Sequence, residues 1–147
     1  MFKFLKEEID NREKSAERIA YLEQKYGITF PDILRQLYAK TDSNSEMHLC
    51  VFEIDGFKFE AWQLVPLDDA KFNFEFIADI DRDESTKGMF DNWYPLAYDR
   101  GAATYYWNSK THEICFVIDG MIEESADICN SIEEFIELLN NSIVEDE

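Results

Sequence analysis

Two histidines and three cysteines are the side chains of this 147-residue sequence best suited to metal binding or nucleophilic chemistry. His48 stands two residues before Cys50, and His112 stands three residues before Cys115, which supplies four zinc ligands on paper. On extended strands the first pair shares a face, whereas the second pair lies on opposite faces. Structural zinc needs four converging ligands, so we predict no metal site and buried, unreactive thiols at Cys50, Cys115 and Cys129.

A run of acids, DIDRDESTKGMF (79–90), is similar to the opening of a calcium-binding loop through Asp79, Asp81 and Asp83. The sixth position of such a loop needs glycine to turn, but Glu84 occupies it. The twelfth position needs a bidentate glutamate, but Phe90 occupies it. We therefore predict a solvated acidic loop and no cofactor, with a weak cation site as the less favoured alternative.

Carboxylates and aromatic side chains together suit carbohydrate chemistry, and the chain has 32 acids. The stretch WYPLAYDRGAATYYWN (93–108) offers five aromatic rings that could stack on sugars: Trp93, Tyr94, Tyr105, Tyr106 and Trp107. Alternating aromatic residues on strands more often pack the core or a sheet face, and this is our preferred interpretation. A carbohydrate-active protein remains the third hypothesis.

Other enzyme motifs are missing from the sequence. The glycines stand alone at 27, 56, 88, 101 and 120, so none forms a loop that cradles a phosphate. No hydroxyl or thiol has the sequence context of a nucleophile elbow, and neither histidine has a recognisable partner. We predict a protein that is not an enzyme.

Composition and charge narrow the class of protein further. Hydrophobic residues make up 46% of the chain, which is enough for one folded domain. The formal net charge of −18 disfavours nucleic acid and anionic lipid as partners and favours a basic protein; solubility alone is the alternative explanation. The N-terminus does not resemble a secretory signal, no apolar run is long enough to span a bilayer, and the few cysteines suit a reducing cytoplasm.

The elements that must position these residues follow from local patterns. Residues 2–25 have helical apolar spacing, Gly27 ends that helix, and Thr29 and Pro31 begin another. From residue 47 the period becomes two, and Asp55-Gly56 predicts a two-residue hairpin turn of type I′. Further strands are predicted near 93–98, 103–107 and 113–119, the last of them central because it is apolar on both faces.

Ser131 and Glu134 form a capping box that starts the last helix. Residues 64–91 fit either a loop and a helix or a loop and a strand. These elements predict an α+β fold in a single domain over 1–147, with an antiparallel or mixed sheet packed by N-terminal and C-terminal helices. Within it, residues 1–40 are the helical N-terminal part, 47–118 are mainly strands, and 131–143 are the C-terminal helix.

Read in order, these pieces resemble the SUKH superfamily of Smi/Knr-type domains. The segments that carry the likeness are YLEQKYGITFPDILRQLY (21–38), YPLAYDRGAATYYWN (94–108), EICFVIDG (113–120) and NSIEEFIELL (130–139). The resemblance implies that the charged turn at Asp99, Arg100 and Gly101 is scaffold rather than a catalytic group. We expect Gly101 to supply a backbone angle that other residues resist, and Pro95 to lie at an edge or entry position.

The resemblance also implies a binding function. Bacterial members look like immunity proteins that block a toxin, and fungal relatives look like regulatory adaptors. With the charge, this favours a cytoplasmic immunity protein that covers the active site of a basic toxin, such as a nuclease; an intracellular adaptor is the alternative. Acids also accumulate after Lys110, where no lysine or arginine follows. The candidate partner contacts are the central acids Asp68, Asp69, Asp79, Asp81, Asp83 and Glu84.

Overall fold

The computed structural model describes residues 2–42, 46–67, 92–101, 103–118 and 121–144. Three helices lie within these ranges: α1 (Arg12–Tyr26), α2 (Asp32–Tyr38) and α3 (Ile132–Asn140). The strands there are β1 (Cys50–Ile54), β2 (Phe57–Ala61), β3 (Gln63–Leu64), β4 (Trp93–Tyr98), β5 (Ala103–Asn108), β6 (Ile114–Ile118) and β7 (Met121–Cys129). In this described part of the chain, no helix is long and apolar enough to cross a membrane.

The strands form two antiparallel sheets, which confirms the predicted α+β fold. One sheet is the β1–β2 hairpin, and the other has five strands in the order β3-β4-β5-β6-β7. Every pairing between neighbouring strands is antiparallel, so the predicted choice between an antiparallel and a mixed sheet is settled for the described residues. Strand β6 has a partner on each side, as its two apolar faces predict.

The first helix begins at Arg12 and not near residue 2, so the predicted start is wrong. Phe2, Phe4 and Leu5 are buried in the core instead of lying on a helix face. Leu5 forms an antiparallel bridge with Met47, and the backbone around it bonds to residues 46–48. Apolar residues near the N-terminus thus pair with a segment about forty positions away, and this long-range contact outweighs helix propensity.

The predicted end of α1 and the predicted start of α2 are confirmed. Gly27 caps α1 with a left-handed φ of 67°. Pro31 precedes α2 as its N-cap, with an extended backbone. The inward face of α2 is formed by Leu34, Leu37 and Tyr38, all of them buried.

The β1–β2 hairpin closes through the predicted two-residue turn. Ile54 pairs with Phe57, which leaves Asp55 and Gly56 as the loop. Their φ values of 52° and 84° are both positive, as a type I′ turn requires. The hairpin is therefore set by its own local residues.

One core joins the helices, the hairpin and the five-stranded sheet. Phe30, just before α2, packs edge-on against Trp107 of β5 with ring centroids 5.3 Å apart. Phe135 of α3 and Phe52 of β1 both contact Tyr105, at centroid distances of 5.2 and 6.2 Å. Strand β5 is buried along its whole length, so it forms the centre of the molecule.

Candidate protein-binding surface

Helix α3 presents a row of carboxylates to solvent. Its start is fixed by Ser131, whose Oγ accepts a hydrogen bond from the Glu134 backbone N at 3.1 Å, as the capping-box pattern predicts. Ile132, Phe135, Ile136 and Leu139 are buried against the core. The opposite side is formed by the exposed residues Glu133, Glu134 and Glu137, called the α3 acidic face below.

Strand β7 contacts α3. It was not predicted from the sequence, because the predicted strand region ended at residue 118. It spans Met121–Cys129, pairs with β6 and is the last strand in the sheet order of the described residues. Its polar residues interrupt the apolar alternation on which strand prediction depends. The available signal was Asp119-Gly120, the same turn dipeptide as Asp55-Gly56, between two segments that the structure pairs.

Five of the described acids that precede α3 in the sequence have cationic partners. Among the described residues, the ion pairs are Lys6–Glu46 (3.6 Å), Arg12–Asp10 (2.9 Å), Lys40–Glu8 (3.1 Å), Arg100–Glu60 (2.8 Å) and Arg35–Glu23. Within the same part of the chain, no lysine or arginine pairs with an α3 acid, and none occurs in the sequence after Lys110. The negative charge of α3 is therefore not compensated by any lysine or arginine that the structure describes.

Helix α1 carries both signs of charge along an open groove of about 710 Å³. Arg18 lies in this groove, where its Nε donates to the Leu67 carbonyl at 2.6 Å. Its guanidinium also lies 4.9 Å from the ring centroid of Tyr21, and the Lys25 Nζ lies 5.9 Å from the same centroid. Arg18 and Lys25 thus already make cation–π contacts with Tyr21, the exposed aromatic residue of α1.

The aromatic strands are core, as the preferred interpretation of 93–108 predicts. Tyr94, Tyr105, Tyr106 and Trp107 are all buried. Tyr105 uses its hydroxyl to donate to the Glu60 carbonyl at 2.7 Å, and burial raises the pKa of Tyr105 well above its usual range. These four rings cannot form the exposed platform that the carbohydrate hypothesis requires.

The turn between β4 and β5 is closed by a side chain. Asp99 Oδ1 accepts hydrogen bonds from the backbone N of Gly101 at 2.8 Å and of Ala103 at 3.1 Å, which supports its predicted role as a turn former. The role predicted for Gly101 is wrong, because its φ is not positive. Pro95 stands beside a register shift in β4, a bulge-like position that tolerates its missing N–H.

Cys50 and Cys115 are buried as predicted, whereas Cys129 is only half-buried. Cys50 Sγ donates to the Leu139 carbonyl at 3.3 Å. Burial raises the pKa of the Cys115 thiol to about 12, and burial also raises that of Cys129 to about 12. Thiols with such pKa values stay protonated near neutral pH, which supports the prediction that they are unreactive. Over the described ranges, no three histidine, cysteine or acidic side chains lie together as a metal site would need.

The six acids predicted as partner contacts, Asp68, Asp69, Asp79, Asp81, Asp83 and Glu84, lie outside the described residues. The calcium-like stretch 79–90 lies there too, as do the alternatives for most of 64–91. These remain predictions. Of the acids after Lys110, those of α3, Glu133, Glu134 and Glu137, lie within the described residues.

The fold and this surface define an α+β domain with an acidic exterior and a core of aromatic residues. The family model of the SMI1 / KNR4 family (SUKH-1) matches residues 14–138. The match covers well over half of the sequence, so the chain belongs to this family, as the sequence motifs predict. In general terms, membership supports a domain of the immunity or adaptor type. No curated protein matches the chain.

Proposed function

We propose that this protein is an immunity protein that binds a basic toxin and blocks it by covering the toxin's active site. A nuclease is the toxin class that fits best. The observation that carries the proposal is the α3 acidic face, whose carboxylates have no cationic partner among the described residues. Family membership supports the same class of function.

The charge explains how such a partner would be found and held. A nuclease binds phosphates through lysine and arginine side chains, so its cleft is positive. Glu133 and Glu137 lie one helical turn apart on the solvent side of α3 and offer carboxylates to such a cleft. The overall charge of −18 would speed encounter with a cation-rich surface and repel nucleic acid itself.

The proposed mechanism is occlusion without catalysis. Cys115 and Cys129 have raised pKa values, so neither is an activated nucleophile at neutral pH. The carboxylates of the α3 acidic face are exposed, an environment suited to contact with a partner. A protein that acts by covering a cleft needs shape and charge, and it needs no reactive group of its own.

The proposal expects the gene immediately upstream of this one to encode a toxin domain, and the test uses that domain. We expect co-expression to restore growth of cells that make the toxin, and purified protein to inhibit the toxin at about one molecule per toxin. Copurification of the two chains is the physical readout. A toxin that stays fully active with excess protein would contradict the proposal, and an upstream housekeeping gene would favour the adaptor alternative.

A further inference from the structure

The open groove beside helix α1 is not used by the proposed function. Its volume of about 710 Å³ is in the range of pockets that hold small molecules. One wall comes from α1, and the rest comes from residues at the end of α2 and after it, and from Pro66 and Leu67 after β3. We propose that this groove binds a small molecule by its carboxylate or phosphate group, which Arg18 and Lys14 hold.

Arg18 is fixed in the groove with part of its guanidinium free. Its Nε donates to the Leu67 carbonyl at 2.6 Å, and the guanidinium lies 4.9 Å from the ring centroid of Tyr21. These contacts position the guanidinium before a ligand arrives, so less conformational entropy is lost on binding. Among the described hydrogen bonds, none has an Arg18 Nη atom as its donor. Both Nη atoms can therefore donate to one carboxylate or phosphate group.

Lys14 adds a second positive charge one helical turn before Arg18, and both residues line the groove. In the described part of the chain, neither of them forms an ion pair with a carboxylate. Five other cations do so: Lys6, Arg12, Arg35, Lys40 and Arg100. The chain has 32 acids and 14 bases, so carboxylates are abundant. Two neighbouring cations without a carboxylate partner are therefore available to an external anion.

Two acids, Glu17 and Asp42, also line the groove and limit what it can bind. The Thr41 carbonyl accepts a hydrogen bond from Asn11 Nδ2 at 3.0 Å, so Asp42 lies toward the start of α1, about two turns from Arg18. With these acids and a net charge of −18, a large polyanion such as nucleic acid is repelled. Charges beyond about 8 Å are largely screened at physiological salt, so a small anion can still reach Arg18.

The floor of the groove is polar, which favours a polar ligand over an apolar side chain of a partner. Ser15 and Thr41 line the groove and are 4% and 1% exposed. The Ser15 hydroxyl donates to the Arg12 carbonyl at 3.3 Å, and its oxygen can accept a hydrogen bond from a ligand. An apolar group seated on these polar atoms would remove them from water without offering a hydrogen bond.

The experiment titrates inorganic phosphate, and separately acetate, into the isotope-labelled protein at constant ionic strength and follows the NMR signals. We expect saturable shifts at the backbone amides of Lys14, Ser15 and Arg18 and at the Arg18 Nε–H. Phosphate should bind at least about threefold more tightly than acetate, because its larger charge can contact both cations. Saturable binding of either anion supports the site, and the tighter one identifies the group that the natural ligand carries.

Three variants separate this site from general attraction between charges. Arg18→Gln should weaken phosphate binding about tenfold, and Lys14→Gln about threefold. Lys110→Gln removes the same charge from the turn between β5 and β6, and it should bind phosphate within about twofold of wild type. Signals far from the groove report whether each variant is folded. If Arg18→Gln does not fold, Lys14→Gln carries the test, because its side chain forms no described hydrogen bond or ion pair.

Two results would overturn the site. One is a pair of titrations in which the shifts of the wild-type protein grow without saturation. The other is phosphate binding that Arg18→Gln and Lys14→Gln leave as tight as in wild type. Neither the probes nor the readout involves a toxin, so this test and the test of the proposed function can fail separately.

Discussion

Helices α1 and α3 bury one face each in the same core, yet their solvent faces carry different charges. The outer side of α1 mixes cations such as Lys14 and Lys25 with Glu13 and Glu17. The outer side of α3 carries acids and no cation. Opposite charges on one helix face largely cancel each other's electrostatic potential. Charges of one sign add up, and their potential can attract an oppositely charged molecule.

The positions of the α3 acids show that stability does not account for all of them. Glu133 and Glu134 lie in the first turn, where negative charge interacts favourably with the helix dipole. Glu137 lies near the other end, where the dipole disfavours an acid and where α3 has no basic residue. In α1 the corresponding end carries Lys25, the favourable sign. Interaction with the helix dipole therefore does not account for Glu137, which the proposed contact with a cationic partner would use.

The largest expected effect concerns the anchor of α3, because the acidic face is useful only if the helix is held firmly. Phe135 is 1% exposed and packs on Tyr105, so Phe135→Ala should lower the free energy of unfolding by about 3–5 kcal/mol. Chemical denaturation is the measurement. Glu137→Gln, on the other side of the same helix, should change stability by less than about 0.5 kcal/mol. A loss below about 1 kcal/mol for Phe135→Ala would mean that α3 is not rigidly anchored.

A smaller effect is expected at the start of α3. Ser131→Ala removes the oxygen that caps the Glu134 amide and should cost about 1 kcal/mol of unfolding free energy. Ser131→Asp keeps a capping oxygen and serves as the control, with stability close to wild type. Thermal or urea unfolding would separate the two variants. Equal losses for both would show that the cap does not hold this end of the helix.

The smallest expected effect is the pH-dependent stability contributed by Glu60, an acid that has an ion-pair partner among the described residues, unlike the acids of α3. Hydrogen bonding to Arg100 holds the pKa of Glu60 below its usual range. The unfolded chain therefore binds the Glu60 proton more readily, and the pair contributes stability above the usual glutamate pKa that is lost as pH falls through the folded value. Because the pair is partly exposed, the contribution should stay below about 1 kcal/mol.

Urea unfolding of wild type, Arg100→Ala and Glu60→Gln between about pH 7 and pH 3 measures this contribution. Both variants should lose less stability than wild type on acidification, and by similar amounts. A wild-type loss that matches that of Arg100→Ala would show that the ion pair has no role in the acid response.

The parts of the fold that depend on neighbouring residues could be predicted from the sequence. The Asp55-Gly56 turn, the Gly27 cap and the Ser131 cap each need only a few adjacent residues with particular backbone preferences. The start of α1 could not be predicted this way, because Leu5 is bound by Met47 from a distant segment. The prediction of a positive φ at Gly101 was wrong for a related reason. The Asp99 side chain closes the turn, so the turn does not need the positive φ that glycine allows.

The negative charge of the candidate site could be predicted from the sequence, but its position on the surface could not. The acids after Lys110 were visible in the sequence, but which of them face solvent without a cation depends on how α3 packs. The central acids Asp68 to Glu84 stay a prediction, since they lie outside the described residues.

The association rate with the toxin domain that the proposal expects to be encoded upstream, measured at low and high salt, tests the central claim most directly. Glu133→Gln with Glu137→Gln is compared with Glu8→Gln and Glu46→Gln, a control that removes equal charge from acids already paired with Lys40 and Lys6. We expect a wild-type association rate that falls steeply with salt, a rate for the α3 variant that is several-fold slower and depends less on salt, and near wild-type rates for the control. A wild-type rate that is the same at both salt concentrations would contradict it.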